Sequence, residues 1–183
     1  MHNTIKHFSQ SEFIGPGSMS KNGICYYLCN YVDEKVWNGL LNYDDGVQKA
    51  REFIPLPAVN YAKAQNLLYG QQDGYVVPFR NFLENKLYRM SFTIEDESFD
   101  VRYDEDGKPY PTHEVILITG PDKTLLFDPN EGFLEFNDLD VMNVIADRKE
   151  YYKQFKEVSS FKIKMIRSIT SKEPLGFKRI PIK

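Results

Sequence analysis

The chain has two cysteines, Cys25 and Cys29, four residues apart in the stretch KNGICYYLCNYV. A thiol can serve as a nucleophile or as a small apolar packing group. Gly23 precedes a helical pattern that starts near Ile24, so Cys25 falls in the first helical turn. Unpaired backbone N–H groups and the helix dipole favour a thiolate there. Cys29 lies one turn further in and is expected to be buried and inert. A nucleophilic thiol needs a base. The histidines are His2, His7 and His113, and His113 is the only one beyond the first seven residues. It opens the run HEVILIT, and Asp128 closes the run TLLFD. With a tight turn centred on Pro121–Asp122, positions summing to 243 pair across the hairpin. His113 and Asp128 are then diagonal neighbours on one sheet face, and a slip of two would make them direct partners. His113 would take the thiol proton and later donate it to the leaving group, while Asp128 orients the ring. The chemistry is acyl transfer through a thioester.

Other chemistries find little support. No Cys-x-x-Cys or His-x-x-x-His spacing suggests zinc, so no metal is expected, and no cofactor motif is seen. The segment DEDG at 104–107 lacks the spaced oxygen ligands of a calcium loop and is expected to be a turn. Cysteines at i and i+4 on one helix rarely reach disulfide geometry, which favours a reducing compartment.

The elements that must position these residues come in two styles. Residues 24–90 read mostly as helices. Cys25, Leu28, Cys29, Val32, Val36 and Leu40 share one face, PAVNYAKAQNLLYG runs from Pro57 to Gly70, and VVPFRNFLENKLYRM carries a stripe of Phe79, Phe82, Leu83 and Leu87. After Met90 the pattern alternates. SFDVRY, HEVILIT, TLLFD and GFLEF read as strands, NDLDVMNVIADRKEYYKQF as a helix capped by Asn137 or Asp138, and SSFKIKMIRSI as a further strand. Helices followed by antiparallel strands make an α+β domain. The 183 residues suit one domain, 1–183, with residues 1–20 as an N-terminal extension and 170–183 as a basic C-terminal tail.

No apolar run reaches the roughly 20 residues of a membrane span, and the N-terminus has no signal-peptide apolar region. The net charge of −3 is uneven: residues 161–183 hold seven basic residues against the single acid Glu173. Such a tail suits an acidic membrane surface or acidic partner, or simply a solvated strand end. The acidic body argues against nucleic-acid binding.

GICYYL, then HEVILI, then LLFDPNEGFLEF resembles the papain-like cysteine proteases of the YopT type, found among secreted bacterial effectors and toxins. The segment Asp128-Pro129-Asn130-Glu131-Gly132 is the most specific part of the match. The resemblance implies a papain-like fold, with the nucleophile helix packed on a C-terminal antiparallel sheet and a triad of Cys25, His113 and Asp128. It further implies cleavage of a host protein after export without a cleaved signal peptide, acting in the host cytoplasm; otherwise the chain is expected to be cytoplasmic. One feature departs from the pattern. The oxyanion-hole Gln or Asn five or six residues before the cysteine is replaced by Ser20 and Met19. The expected hole therefore combines the Cys25 backbone N–H with Asn22 or Ser20. Related triads also serve glutamine deamidases and lysine acyltransferases, and a catalytically silent α+β binding module is a separate alternative.

Overall fold

The computed structural model describes residues 2–15, 24–69, 81–95, 105–107, 112–155 and 157–172. Among them six strands form one antiparallel sheet: β1 (Asn3–His7), β2 (Lys86–Glu95), β3 (His113–Thr119), β4 (Thr124–Asp128), β5 (Gly132–Phe136) and β6 (Glu157–Ser168), in the order β1-β5-β4-β3-β2-β6. The helices are α1 (Ser11–Ile14), α2 (Cys25–Tyr31), which continues into a π-helical turn at Val32–Val36, α3 (Tyr43–Arg51), α4 (Pro55–Tyr69) and α5 (Val141–Tyr151). The class is α+β, as the two-part pattern of the sequence implies.

Strand alternation divides the core into two. Leu87, Ile116, Ile118, Leu125, Phe127 and Phe133 point to one face of the sheet and pack with Leu28, Cys29, Trp37 and Ala62 from the α2–α4 side. Met90, Phe92, Val115, Leu117, Leu126 and Leu134 point to the other and pack with Val144, Ile145 and Tyr152 from the α5 side. Period-two side chains on a sheet covered on both faces produce this split.

The helix ends follow their sequences. Pro55, two residues before the expected Pro57, opens α4, where the missing N–H costs nothing. Asn42 caps α3 by accepting from the Asp45 N–H at 2.9 Å. Asp140, rather than Asn137 or Asp138, caps α5, accepting from Met142 N–H at 2.8 Å. Asp138 instead bonds the Asp140 N–H and the Asn143 side chain, bracing the capping loop from outside.

Two expectations are corrected. The run read as a helix through Met90 is a strand from Lys86 onward. Asn85 turns the chain there at φ 56°, and β3 and β6 then pair with β2 on both sides. Of the helical stripe, Phe79 lies outside the described residues, and Leu87 sits in the sheet. Residues 3–7, read as part of an extension, are the edge strand β1. The stretch SFDVRY and residues 173–183 of the basic tail lie outside the described residues.

Candidate active site

The hairpin register is the one the turn predicts: Thr119 pairs with Thr124, Ile118 with Leu125 and Ile116 with Phe127. His113 and Asp128 therefore share a face at one end of the sheet. His113 Nε2 and Asp128 Oδ1 are 2.7 Å apart, both side chains fully enclosed. Phe92, opposite His113 on β2, presents its ring edge-on at 5.2 Å between centroids and fixes the imidazole plane. Nδ1 of His113 has no hydrogen-bond partner. The Cys25 thiol nevertheless lies close enough that hydrogen bonding first, and charge second, raise the proton affinity of the ring. Catalytic hydrogen bonds are often this loose before substrate arrives.

Cys25 is the first residue of α2 and 9 % exposed. Three polar clamps hold its helix. At the N-terminus, Gln10 Oε1 accepts from the Ile24 N–H at 3.1 Å, filling the place of a side-chain cap. Along its flank, the buried Arg89 of β2 donates to Glu114 Oε2 at 2.8 Å, Asn30 Oδ1 at 2.7 Å and the Tyr26 carbonyl at 3.1 Å. At the π-helical turn, Arg167 of β6 donates to Asp33 Oδ1 at 2.6 Å and to the Asp33 and Trp37 carbonyls. Cys29, fully buried, points its Sγ at the Glu114 carbonyl at 3.5 Å. Burial pushes the Cys29 thiol well above its ordinary pKa, which keeps it protonated and inert.

Asp128 uses both of its carboxylate oxygens. Oδ1 faces His113 and accepts from the Asn130 N–H at 2.9 Å; Oδ2 accepts from Arg148 Nη1 and from the Tyr152 hydroxyl, each at 2.7 Å. Burial would raise its pKa, but His113 and Arg148 overcome this and hold the carboxyl well below the usual range. Burial would likewise lower the His113 pKa, yet the Asp128 charge dominates, with a smaller push from Cys25, and the ring is pushed up to about 10. The pair is thus a buried imidazolium and carboxylate at neutral pH, with the thiol beside it.

The structure brings Cys25, His113 and Asp128 together. Asn22 and Ser20, the expected oxyanion-hole side chains, lie outside the described residues. Four further side chains converge here that spacing did not single out: Gln10, Asn130, Arg148 and Tyr152. Asn130 Oδ1 accepts from Gln10 Nε2 at 2.7 Å, and its Nδ2 donates to the Tyr152 hydroxyl at 2.9 Å. Arg148 and Tyr152 stand at i, i+4 some way after the DPNEG segment, a spacing too common to single them out. Gln10 carries no signal at all. Among the described residues no cluster of three or more His, Cys, Asp and Glu could hold a metal ion. None of their helices is long and apolar enough to cross a membrane. Comparison with protein-family models, curated proteins and solved structures gives no match.

Proposed function

We propose that the chain is a papain-like thiol hydrolase acting through Cys25, His113 and Asp128. One observation carries the reading: a helix-tip thiol acts on an imidazole whose far nitrogen is fixed by a carboxylate at 2.7 Å. The Cys25 sulfur, whose proton is the one lodged on His113, attacks a carbonyl carbon, and the carbonyl electrons move onto oxygen. Collapse of this intermediate expels the leaving group, which takes the proton held by His113, and leaves a thioester. His113 then removes a proton from water, which attacks the thioester, releases the acid and returns the thiolate beside the protonated ring. The Cys25 backbone N–H, at the free end of α2, is one donor for the developing oxyanion. Gln10 supplies the second, since its carboxamide sits against Ile24 and Nε2 carries a further N–H beyond the one given to Asn130. The motif resemblance supports a protein amide as substrate, in a host protein reached by an exported bacterial effector.

The test needs no natural substrate. Iodoacetamide at neutral pH should alkylate Cys25 well above the rate of a free cysteine peptide, and His113→Ala should remove that excess. Gln10→Ala should slow p-nitrophenyl acetate turnover by about a hundredfold, the worth of one oxyanion donor, while leaving alkylation nearly unchanged. A parent thiol no more reactive than the peptide, with His113→Ala without effect, would favour a silent binding module. Mass spectrometry of a target protein separates a cut chain from a deamidated glutamine or an acylated lysine.

A further inference from the structure

We propose that Arg148, in the last turn of α5, and Tyr152, the C-cap that follows it, are positioning residues that hold Asp128 charged and aimed at His113. The inference rests on the hydrolase reading for its use, but its geometry stands alone. Oδ2 of Asp128 points away from the imidazole and receives two donors at 2.7 Å, one from each residue. This fixes the carboxylate plane from the rear and leaves Oδ1 for the ring. The Tyr152 hydroxyl also lies 3.2 Å from His113 Nε2 and accepts from Asn130 Nδ2, so it touches both members of the pair and Asn130. Burial first, and the Asp128 charge second, hold the phenol protonated, so it acts as a donor throughout the physiological range. Arg148 is fully enclosed and divides its guanidinium among Asp128, Glu131 and Asp147, with Nη2 2.6 Å from the last two.

The charged and titratable groups that bear on Asp128 come from each packed element. Among the described residues, those acting on Asp128 or on the groups bonded to it include His113 from β3, Glu131 from the β4–β5 turn, Asp147, Arg148 and Tyr151 from α5, Tyr152 at its C-cap, and Cys25 and Cys29 from α2. His2 closes the rim, 2.7 Å from Asp147 and 3.3 Å from Glu131. Arg148 is the cation opposing His113 for the same carboxylate. It therefore restrains the proton affinity of the ring and keeps the proton transferable.

Two variants test this, read by an NMR titration of the His113 ring and by the pH profile of Cys25 alkylation. Arg148→Met removes the competing cation and should raise the His113 midpoint by about one unit or more. Tyr152→Phe keeps the ring packed and removes the hydroxyl. It should cut Cys25 alkylation at neutral pH by about tenfold or more, the worth of a hydrogen bond to a charged group. Tyr43→Phe, which removes a hydroxyl bonded to Glu135 far from the site, controls for loss of a partly buried phenol. Circular dichroism checks the fold, and if Arg148→Met does not fold, Tyr152→Phe decides. A folded Tyr152→Phe protein with parental midpoint and profile overturns the proposal. An unreactive parent thiol would overturn the hydrolase reading alone, because the His113 midpoints still report what α5 does to the ring.

Discussion

His113 keeps a proton deep inside the protein because Asp128 is ionised beside it, and each charge stabilises the other. The consequence for stability has a definite sign. A ring whose pKa rises from 6.5 unfolded to about 10 folded stabilises the native state fully below pH 6.5. That contribution fades as the pH climbs and is gone above about 10. Asp128 works the other way. Its depressed pKa stabilises the fold fully above the ordinary carboxylate value of 3.8, and that contribution is lost progressively as the pH falls from there through the lowered folded value. Thermal midpoints measured from pH 4 to 10 should therefore decline on the alkaline side, and His113→Gln should flatten that decline. An identical slope in both proteins would show the pair is not charged as described. The convergence of Cys25, His113 and Asp128 could be read from the sequence because cysteine and histidine are scarce here and the hairpin register follows from one turn. Gln10, Arg148 and Tyr152 could not, because Gln, Arg and Tyr are common on surfaces, and only the completed fold encloses these three.

At the level of elements, the turn after Asp128 makes the tightest demand on the backbone. Gly132 pairs with both Asp128 and His7 and adopts φ 112°, where an L side chain is strained. A Cβ there would overlap the Lys6 carbonyl oxygen and stand 2.6 Å from the Phe8 nitrogen. Both are backbone atoms that no rotamer change can move. Gly132→Ala should thus force β1 away from β5 and cost about 2–4 kcal/mol in a denaturant melt. A loss under about 0.5 kcal/mol would mean that the strands part easily. Element reading succeeded where alternation and punctuation agreed, as in β3, β4 and α4. It failed at β2, where Leu83 and Leu87 sit four apart like a helix stripe. The residues KLYRMSFTIE alternate equally well, and cross-strand pairing with β3 and β6 decides between the two periods.

Across the whole molecule, the centre of the chain is fastened by its two flanks. Gln10 holds the start of the nucleophile helix, Arg167 holds the turn that continues it, and Arg148 and Tyr152 brace the carboxylate between them. None of these long-range ties could be read in advance, since they span 14 to 134 positions and leave no periodic trace. They impose an order on synthesis. All three reacting groups have been translated once residue 128 is added, yet α5 and β6 are still to come. Ribosome-bound chains arrested with residue 140 just outside the exit tunnel should label at Cys25 no faster than a simple thiol, and release of the finished polypeptide should raise the rate. Labelling at the full rate before β6 emerges would contradict this order. On the hydrolase reading, a growing polypeptide built this way carries its sulfur past chaperones and neighbouring nascent proteins in a dormant form, and becomes armed only once β6 has joined the sheet.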